Sequence, residues 1–170
     1  MSELPTPILG RDDEEFAIAD RETLATMSLA LAGQARQSID IVSRHLDPPL
    51  YDNEAFAAAV KNLVLSSQRA RVRILVVDTT PIIAQGHRLL ELAQRLSSYI
   101  AIRRPAPEDK DFNEAWLAVD GSGYIHRRFA DRFEAQANFN DKRQAQLLSN
   151  RLEELWYRAG PDPNFRRLHL

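Results

Sequence analysis

The side chains best suited to chemistry in this sequence are its histidines and arginines. An imidazole can attack phosphorus or move a proton, and a guanidinium fork binds phosphate oxygens. The chain has four histidines, which are His45, His87, His126 and His169. Their spacing is not that of a metal site, and no glycine-rich phosphate loop is present. These groups could bind phosphate or transfer a proton, and we expect no metal or other cofactor.

His45 stands where α/β proteins often bind ligands. It follows a predicted strand, and in such sheets ligands usually sit beyond the carboxyl ends of the strands. The alternative is a structural role, in which His45 bonds to Asp47 or to the backbone of the proline-containing loop that follows. His87 is expected near the exposed beginning of a helix, without a catalytic role.

The apolar pattern predicts an α/β domain whose layered sheet is covered by helices. The predicted helices begin at N-caps Asp20, Asp52 or Asn53, and Thr80, and a long C-terminal helix spans 141–159. The predicted strands are 38–44, 72–77, 99–103, 113–119 and 124–127, and the stretch 129–140 is expected to be irregular or partly extended. We expect an N-terminal arm at 1–18, a single domain at 19–160 and a C-terminal tail at 161–170.

The stretch 113–121 predicts a strand that enters a tight hairpin turn. Ala115, Leu117 and Val119 share one face of this strand. Trp116 lies on the opposite face, either in the core or at an interface with a partner. The sequence Asp-Gly-Ser-Gly at 120–123 is a strong turn signal.

This stretch also resembles a catalytic motif. Asn113-x-Ala115-x-x-x-x-Asp120 has the spacing of the His-x-Lys-x-x-x-x-Asp motif of the phospholipase D superfamily, and the element order resembles a single repeat of that family. Asn113 stands at the histidine position and Ala115 at the lysine position, so only Asp120 is kept. The frame of the family's Gly-Ser-x-Asn segment falls at 127–130 and lacks that signature. Asn138-Phe139 and Leu155-Trp156 resemble the family's closing segment. The resemblance implies a phospholipase D-like half with a degenerate motif.

The resemblance also implies that ordinary phosphodiesterase activity is absent. In the family the histidine attacks phosphorus to form a phosphoenzyme, and the lysine neutralises the phosphate oxygens. Asparagine and alanine can do neither, and Asp120 would then cap the turn. We therefore favour a non-catalytic binding or assembly module that recognises a phosphate-bearing ligand or a protein partner. The alternative is a diverged phosphodiesterase or phosphotransferase that uses His126 or His45.

The candidate ligand-binding residues are polar side chains expected near the motif strand or at strand ends. They are Asn113, Asp120, His126, Arg127, Arg128, Arg103 and His45. The alternative is that the arginines of this region are solvated and pair with Asp109, Asp111, Asp131 and Glu134. Two motif strands meet in two-repeat relatives of this family, so the resemblance further implies a homodimer.

Composition limits the other possibilities. The 170 residues carry a net charge of -2, so overall charge does not favour nucleic acid or an anionic membrane. The absence of cysteine excludes disulfides and thiol chemistry and fits a reducing, cytoplasmic location. No apolar run approaches the roughly 18 residues that a membrane span requires. We therefore expect a cytoplasmic protein with no transmembrane segment.

Overall fold

The fold is built on one seven-stranded mixed sheet. The structure is a computed structural model, and it describes residues 5–165. The strands are β1 (Phe16–Ile18), β2 (Ser38–Ser43), β3 (Arg71–Val76), β4 (Ile100–Arg103), β5 (Ala115–Val119), β6 (Gly123–Arg127) and β7 (Ala135–Asn138). Their spatial order is β1-β7-β6-β5-β2-β3-β4. Strands β2, β3 and β4 run parallel, and the other neighbouring pairs run antiparallel.

Helices cover both faces of this sheet. They are α1 (Arg21–Ala32), α2 (Pro48–Tyr51), α3 (Glu54–Ser66), α4 (Thr80–Gln85), α5 (Arg88–Arg95) and α6 (Lys142–Arg158). The buried residues of α1, α3 and α5 join one core cluster, and those of α6 join a second cluster on the opposite face. Because both faces are covered, the central strands β2 and β3 are almost continuously buried. The predicted α/β architecture is confirmed.

The sequence signals for helix starts were mostly correct. The side chains of Asp20 and Asn53 cap α1 and α3. Each accepts a hydrogen bond of 2.8 Å from the backbone N–H of the residue three positions later. The third predicted helix is divided at Gly86, whose φ of +77° suits glycine. Its N-cap is Thr79 rather than Thr80. Helix α1 ends at Ala32.

Strand β5 has the predicted alternation of faces. Leu117 and Val119 belong to the core cluster beneath α1 and α3, whereas Trp116 belongs to the cluster beneath α6. Trp116 is only 1% exposed and shares its cluster with Leu148 and Leu152 of α6. Of the two alternatives for Trp116, the core position is therefore correct.

Parts of the predicted arm and tail pack against the domain. Residues Phe16–Ile18 of the predicted arm form strand β1, which pairs with β7 at the edge of the sheet. Upstream of β1, the Gln34 side chain accepts from the Leu9 N–H and donates to the Pro7 carbonyl. These bonds hold the segment against the domain, so the boundary at residue 18 is wrong.

The beginning of the predicted C-terminal tail is likewise packed. Asp162 is buried and accepts a hydrogen bond of 2.6 Å from Thr79 Oγ1. Phe165 packs against the core, and its carbonyl accepts from Gln94. The remaining tail residues at 166–170 lie outside the described residues.

A buried ion pair helps to dock α6 onto the sheet. Asp40 and Arg73 are register partners on β2 and β3, and both are at most 5% exposed. Arg73 donates Nε and Nη2 to the two Asp40 oxygens at 3.1 and 3.0 Å. Its Nη1 pairs with Glu153 of α6, and Ser149 donates to Asp40. The guanidinium fork is thus matched by carboxylates on two elements.

Candidate functional site

The candidate site lies at one edge of the sheet, where several strands end or begin. Since β2 runs parallel to β3 and antiparallel to β5, the ends of β2 and β3 and the beginning of β5 share this edge. Strand β6 ends here too, because Arg127 is the register partner of Ala115. This edge, hereafter the carboxyl edge, carries five of the predicted residues. They are His45, Asn113, His126, Arg127 and Arg128.

Arg127 is the most enclosed charge at the carboxyl edge. It is 3% exposed, and its Nη1 donates to Asp47 Oδ2 at 2.5 Å. Its Nε and Nη2 donate to the carbonyls of Arg132 and Ala130 at 2.8 and 2.7 Å. The guanidinium therefore joins the loop after β2 to the loop after β6, and its charge is already met by Asp47.

Tyr51 lies beside this buried pair. Its ring is 3% exposed, and burial raises the pKa of its hydroxyl well above the ordinary value. The nearby Arg127 charge acts in the opposite direction and does not reverse the shift. The hydroxyl thus stays neutral and cannot act as a phenolate.

On the opposite face of the same edge, Glu114 joins a histidine to an arginine. His126 Nε2 lies 3.3 Å from Glu114 Oε1, and Arg151 of α6 pairs with the other carboxylate oxygen. Arg151 also lies over the Trp116 ring, with its Cζ 5.0 Å from the ring centroid. Three elements therefore meet in one charged cluster above the buried tryptophan.

The protonation of this cluster follows from burial and charge. Burial lowers the pKa of His126, and the neighbouring Glu114 carboxylate only partly opposes that shift. Burial would raise the pKa of Glu114, but the hydrogen bond and charge of Arg151 outweigh it and the pKa is lowered. At neutral pH the arrangement is an ionised carboxylate between a neutral imidazole and a guanidinium.

His45 forms a second carboxylate–histidine pair. Its Nε2 lies 3.2 Å from Asp78 Oδ2, and both side chains are about two-fifths exposed at 42% and 43%. The alternative of a bond from His45 to Asp47 is therefore wrong, since the carboxylate beside His45 is that of Asp78. Hydrogen bonds from Thr80, followed by the contact with His45, lower the pKa of Asp78.

Two of the predicted ligand residues lie away from this group. Asp120 is at the opposite end of β5, where its carboxylate accepts the N–H groups of Arg36, Gln37 and Ser38 at 2.8–2.9 Å. Arg103 is on β4, four strand spacings or about 19 Å across the sheet from β6. It donates to the Trp156 carbonyl and lies over that ring at 4.4 Å. The expected collection of Arg103 with Arg127 and Arg128 is therefore wrong.

His87 also differs from its prediction. It is 3% exposed rather than exposed, because it caps α5 through Nδ1 while its Nε2 lies 3.0 Å from the Leu46 carbonyl. Burial lowers the pKa of His87. The predicted pairing of arginines near the motif with Asp109 is also absent, since Asp109 pairs with Arg158.

The exposed part of the carboxyl edge is the loop at 128–134, hereafter the Arg-Phe loop. Phe129 is 44% exposed and Phe133 37% exposed. The guanidinium carbons of Arg128 and Arg132 lie 5.7 and 5.1 Å from the Phe129 ring centroid. Asn113 is exposed beside this loop, and its carbonyl accepts from the Ala130 N–H at 2.8 Å.

Sequence reasoning missed Glu114, Arg151 and the two phenylalanines. The repeated pair Arg-Phe at 128–129 and 132–133 was a visible signal for the Arg-Phe loop. Glu114 and Arg151 gave no such signal, because their contact joins positions 37 residues apart.

No described helix is both long and apolar enough to cross a membrane. Across residues 5–165 there is also no group of three histidine or acidic side chains placed to hold a metal ion.

The chain matches one protein family along most of its length. Residues 20–168 match the family described as a domain of unknown function, DUF7931, and the chain belongs to that family. No curated protein matches the sequence.

Solved structures of other proteins have the same fold. The archaeal chromatin protein TrmBL2, described with a novel mode of DNA binding, aligns with a TM-score of 0.64 at 15% identity over 95% of this chain and 56% of its own. The phospholipase D family member Nuc from Salmonella typhimurium aligns with a TM-score of 0.58 at 14% identity over 86% of this chain and 97% of its own. NucT from Helicobacter pylori gives 0.59 at 10% identity, with 88% and 99% covered. The fold is thus phospholipase D-like, and the chain spans just over half the length of TrmBL2.

Proposed function

We propose that this member of the DUF7931 family is a non-catalytic phospholipase D-like module that binds a partner at its carboxyl edge. The observation that carries the proposal is that the buried cation Arg127 and the two histidines at this edge, His126 and His45, already have carboxylate partners. Asn113 and Ala115 occupy the positions of the family's histidine and lysine, so the motif is degenerate. Neither side chain supplies a nucleophile or a cation.

The pairing of Arg127 with Asp47 supports this proposal. Arg127 lies across the strand pair from Ala115 and brings a positive charge to the face where the family's lysine would stand. Arg127 is buried, and its Nη1 already donates to Asp47 Oδ2 at 2.5 Å. A phosphate would have to displace Asp47 and open the loop after β2. The guanidinium therefore holds the two loops together and does not bind phosphate.

The exposed Arg-Phe loop supports the binding half of the proposal. Arginine and phenylalanine are both enriched at the centres of protein interfaces. The loop lies beside Asn113, so its rings are exposed close to the position of the family's catalytic histidine. TrmBL2 is described as a DNA-binding protein, which makes nucleic acid a ligand to test for this chain as well.

A second candidate function is a diverged phosphodiesterase or phosphotransferase. The observation that favours it is the presence of two carboxylate–histidine pairs, Glu114 with His126 and Asp78 with His45. Such a pair orients an imidazole for nucleophilic attack or proton transfer. In each pair Nε2 faces the carboxylate, so Nδ1 would have to meet the substrate.

Hydrolysis of an activated phosphodiester, such as bis(p-nitrophenyl) phosphate, separates the two functions. The proposed module should release nitrophenol no faster than buffer alone. The variants His126→Ala and His45→Ala should match the wild-type chain. Turnover by the wild type that is lost in either variant would reject the proposal in favour of the second candidate. Turnover that survives in both would reject the proposal and both histidines.

Fluorescence anisotropy with single- and double-stranded DNA tests the phosphate-bearing ligand. Binding through phosphates should weaken steeply as salt rises from about 50 to 200 mM. Arg128→Ala/Arg132→Ala should weaken such binding, whereas Arg69→Ala/Arg71→Ala, at the opposite edge of β3, should not. Absence of binding at low salt would exclude nucleic acid and leave a protein partner.

A further inference from the structure

A surface groove runs between helices α3 and α5, on the outer side of the helix layer that covers the sheet. It encloses about 540 Å³. Its apolar part is formed by Ala57 and Ala58 of α3 and by Leu92 and Leu96 of α5. Because alanine side chains end at Cβ, the two helices pack side by side without filling the space between their outer faces.

The two helices that border the groove run in the same direction. Strands β2, β3 and β4 are parallel, and α3 and α5 lie in the connections between them. The backbone N–H of Arg88, at the start of α5, donates at 3.0 Å to the carboxylate of Asp52, just before the start of α3. The two helix starts therefore lie at the same end of the groove.

The charges that border the groove are ordered along it. On α3, Glu54 precedes Lys61 by about two helical turns. On α5, Glu91 precedes Arg95 by about one turn. All four side chains are exposed, and none of them forms an ion pair with any residue in the range 5–165. On each helix the acidic charge thus lies nearer the helix start and the basic charge nearer the helix end.

The apolar part of the groove continues toward the end of α3. Leu65 is 67% exposed and lies seven residues after Ala58, so the two side chains share one face of the helix. From Glu54 to Leu65 the helix rises about 16 Å, which is about three turns. A surface of this length matches a short helix better than a small molecule.

These features favour an amphipathic helix as the occupant. A helix that binds in a groove uses apolar residues three and four positions apart, and these can lie over Ala58, Leu92 and Leu96. Acidic residues in the first turn and basic residues in the last turn stabilise a helix through its dipole. A helix charged in this way complements the groove when it runs antiparallel to α3 and α5. Nucleic acid and anionic lipid are disfavoured, since Glu54 and Glu91 would repel phosphate.

We infer that the groove between α3 and α5 is the docking site for an amphipathic helix of a partner protein, acidic in its first turn and basic in its last. This helix lies antiparallel to α3 and α5. Its acidic end meets Lys61 and Arg95, and its basic end meets Glu54 and Glu91. The groove residues are not those of the carboxyl edge, so this docking site is independent of the proposed function.

Fluorescence anisotropy with a synthetic helix tests this assignment. The probe is a peptide of about 14 residues with leucines on one face, glutamates in its first turn and lysines in its last. A hydrocarbon staple on its polar face keeps it helical, since peptides of this length are marginally helical in water. It should bind the wild-type chain with a Kd below about 100 µM. A stapled peptide of the same composition, with its leucines spread around the helix, should bind at least about tenfold more weakly.

Two exposed alanines of α3 provide matched variants. Ala58→Glu places a carboxylate on the apolar part of the groove and should weaken peptide binding by at least about tenfold. Ala55→Glu makes the same change on the same helix, at an exposed position that does not line the groove, and should leave binding unchanged. Glutamate is a good helix former, so both variants should keep the circular dichroism of the wild type. Independently, Lys61→Glu/Arg95→Glu should weaken binding by about tenfold.

The orientation of the bound helix is tested by NMR. A nitroxide on the acidic end of the peptide should broaden the amide signals of Lys61 and Arg95 more than that of Glu54. The opposite pattern would reject the antiparallel arrangement.

Several outcomes would overturn the docking site. One is the absence of peptide binding, and another is equal binding by Ala58→Glu and Ala55→Glu. A wild-type chain whose dimers are lost in Ala58→Glu but kept in Ala55→Glu would assign the groove to a second copy instead. Arg128→Ala/Arg132→Ala should bind the peptide as the wild type does. Failure at the groove would therefore leave the proposed function at the carboxyl edge to be decided by its own assays.

Discussion

Substitution of Asp120 tests why this chain keeps the one acidic residue that its motif spacing shares with the phospholipase D family. The Asp120 carboxylate accepts three backbone N–H groups, from Arg36, Gln37 and Ser38. These bonds fasten the β5–β6 turn to the segment between α1 and β2. Asp120 lies at the far end of β5 from Asn113, so we expect its loss to lower stability without any effect on chemistry.

The expected magnitude follows from two contributions. A hydrogen bond to a charged group contributes about 1.5–3 kcal/mol when buried, and partial exposure of Asp120 reduces this to about 1 kcal/mol for each bond. Asp120 also has a φ of +57°, a left-handed conformation that costs alanine about 1 kcal/mol. Asp120→Ala should therefore lower the free energy of unfolding by about 4 kcal/mol, or the melting temperature by roughly 10 °C.

Two matched variants separate these contributions. Asp120→Asn tolerates the left-handed conformation and keeps one acceptor oxygen, so it should cost about half as much as alanine. Asp120→Gly relieves the strain but restores none of the lost hydrogen bonds. Its free energy of unfolding should therefore lie within about 1 kcal/mol of that of Asp120→Ala. Urea unfolding followed by circular dichroism measures all three. A loss below about 1 kcal/mol for Asp120→Ala would refute the reasoning.

Three further predictions concern the core and the carboxyl edge. Arg73→Leu should cost about 3–5 kcal/mol in urea unfolding because it leaves the Asp40 carboxylate buried and unpaired, and adding Asp40→Leu should recover most of the loss; a double variant no more stable than the single one would contradict this. By NMR, His126 should titrate below its ordinary value of 6.5. Just below pH 6.5 the folded chain then binds fewer protons than the unfolded chain, so His126 makes the free energy of unfolding fall as the pH falls through this range. A His126 pKa above 6.5 would contradict its burial. Gly123→Ala should cost about 1–3 kcal/mol in thermal or urea unfolding. Its new Cβ would lie 2.7 Å from Leu9 Cδ1 and 2.8 Å from Leu31 Cδ1, and an unchanged midpoint would show that both leucine side chains move aside without cost.

Local sequence patterns predicted the elements that are marked by periodicity and caps. Asp20 and Asn53 satisfy N–H groups three residues ahead, so the sequence itself contains the signal for these helix starts. The alternation along β5 was equally readable. Strands β1 and β7 escaped prediction because Phe16–Ile18 is too short to show a period, and Ala135–Asn138 has little β propensity.

The candidate site was harder to predict because its contacts are long-range. Arg127 meets Asp47 from 80 residues away, and His45 meets Asp78 from 33 residues away. No local pattern distinguishes a buried, paired arginine from one that is free for phosphate. Sequence reasoning could place Arg127 at the end of a strand, but only the packed structure brings a carboxylate to it.

The central claim, that the carboxyl edge binds without catalysis, is tested most directly by looking for a covalent intermediate. A histidine that attacks an activated phosphodiester forms a bond from its ring nitrogen to phosphorus and breaks one P–O bond. The phosphoryl group stays on the histidine with one ester, and the other ester group leaves as nitrophenol. After incubation with bis(p-nitrophenyl) phosphate and rapid denaturation at alkaline pH, which preserves the acid-labile P–N bond, intact-mass spectrometry should find the chain at its unmodified mass. A mass increase of one nitrophenyl phosphoryl group, absent from His126→Ala or His45→Ala, would contradict the account.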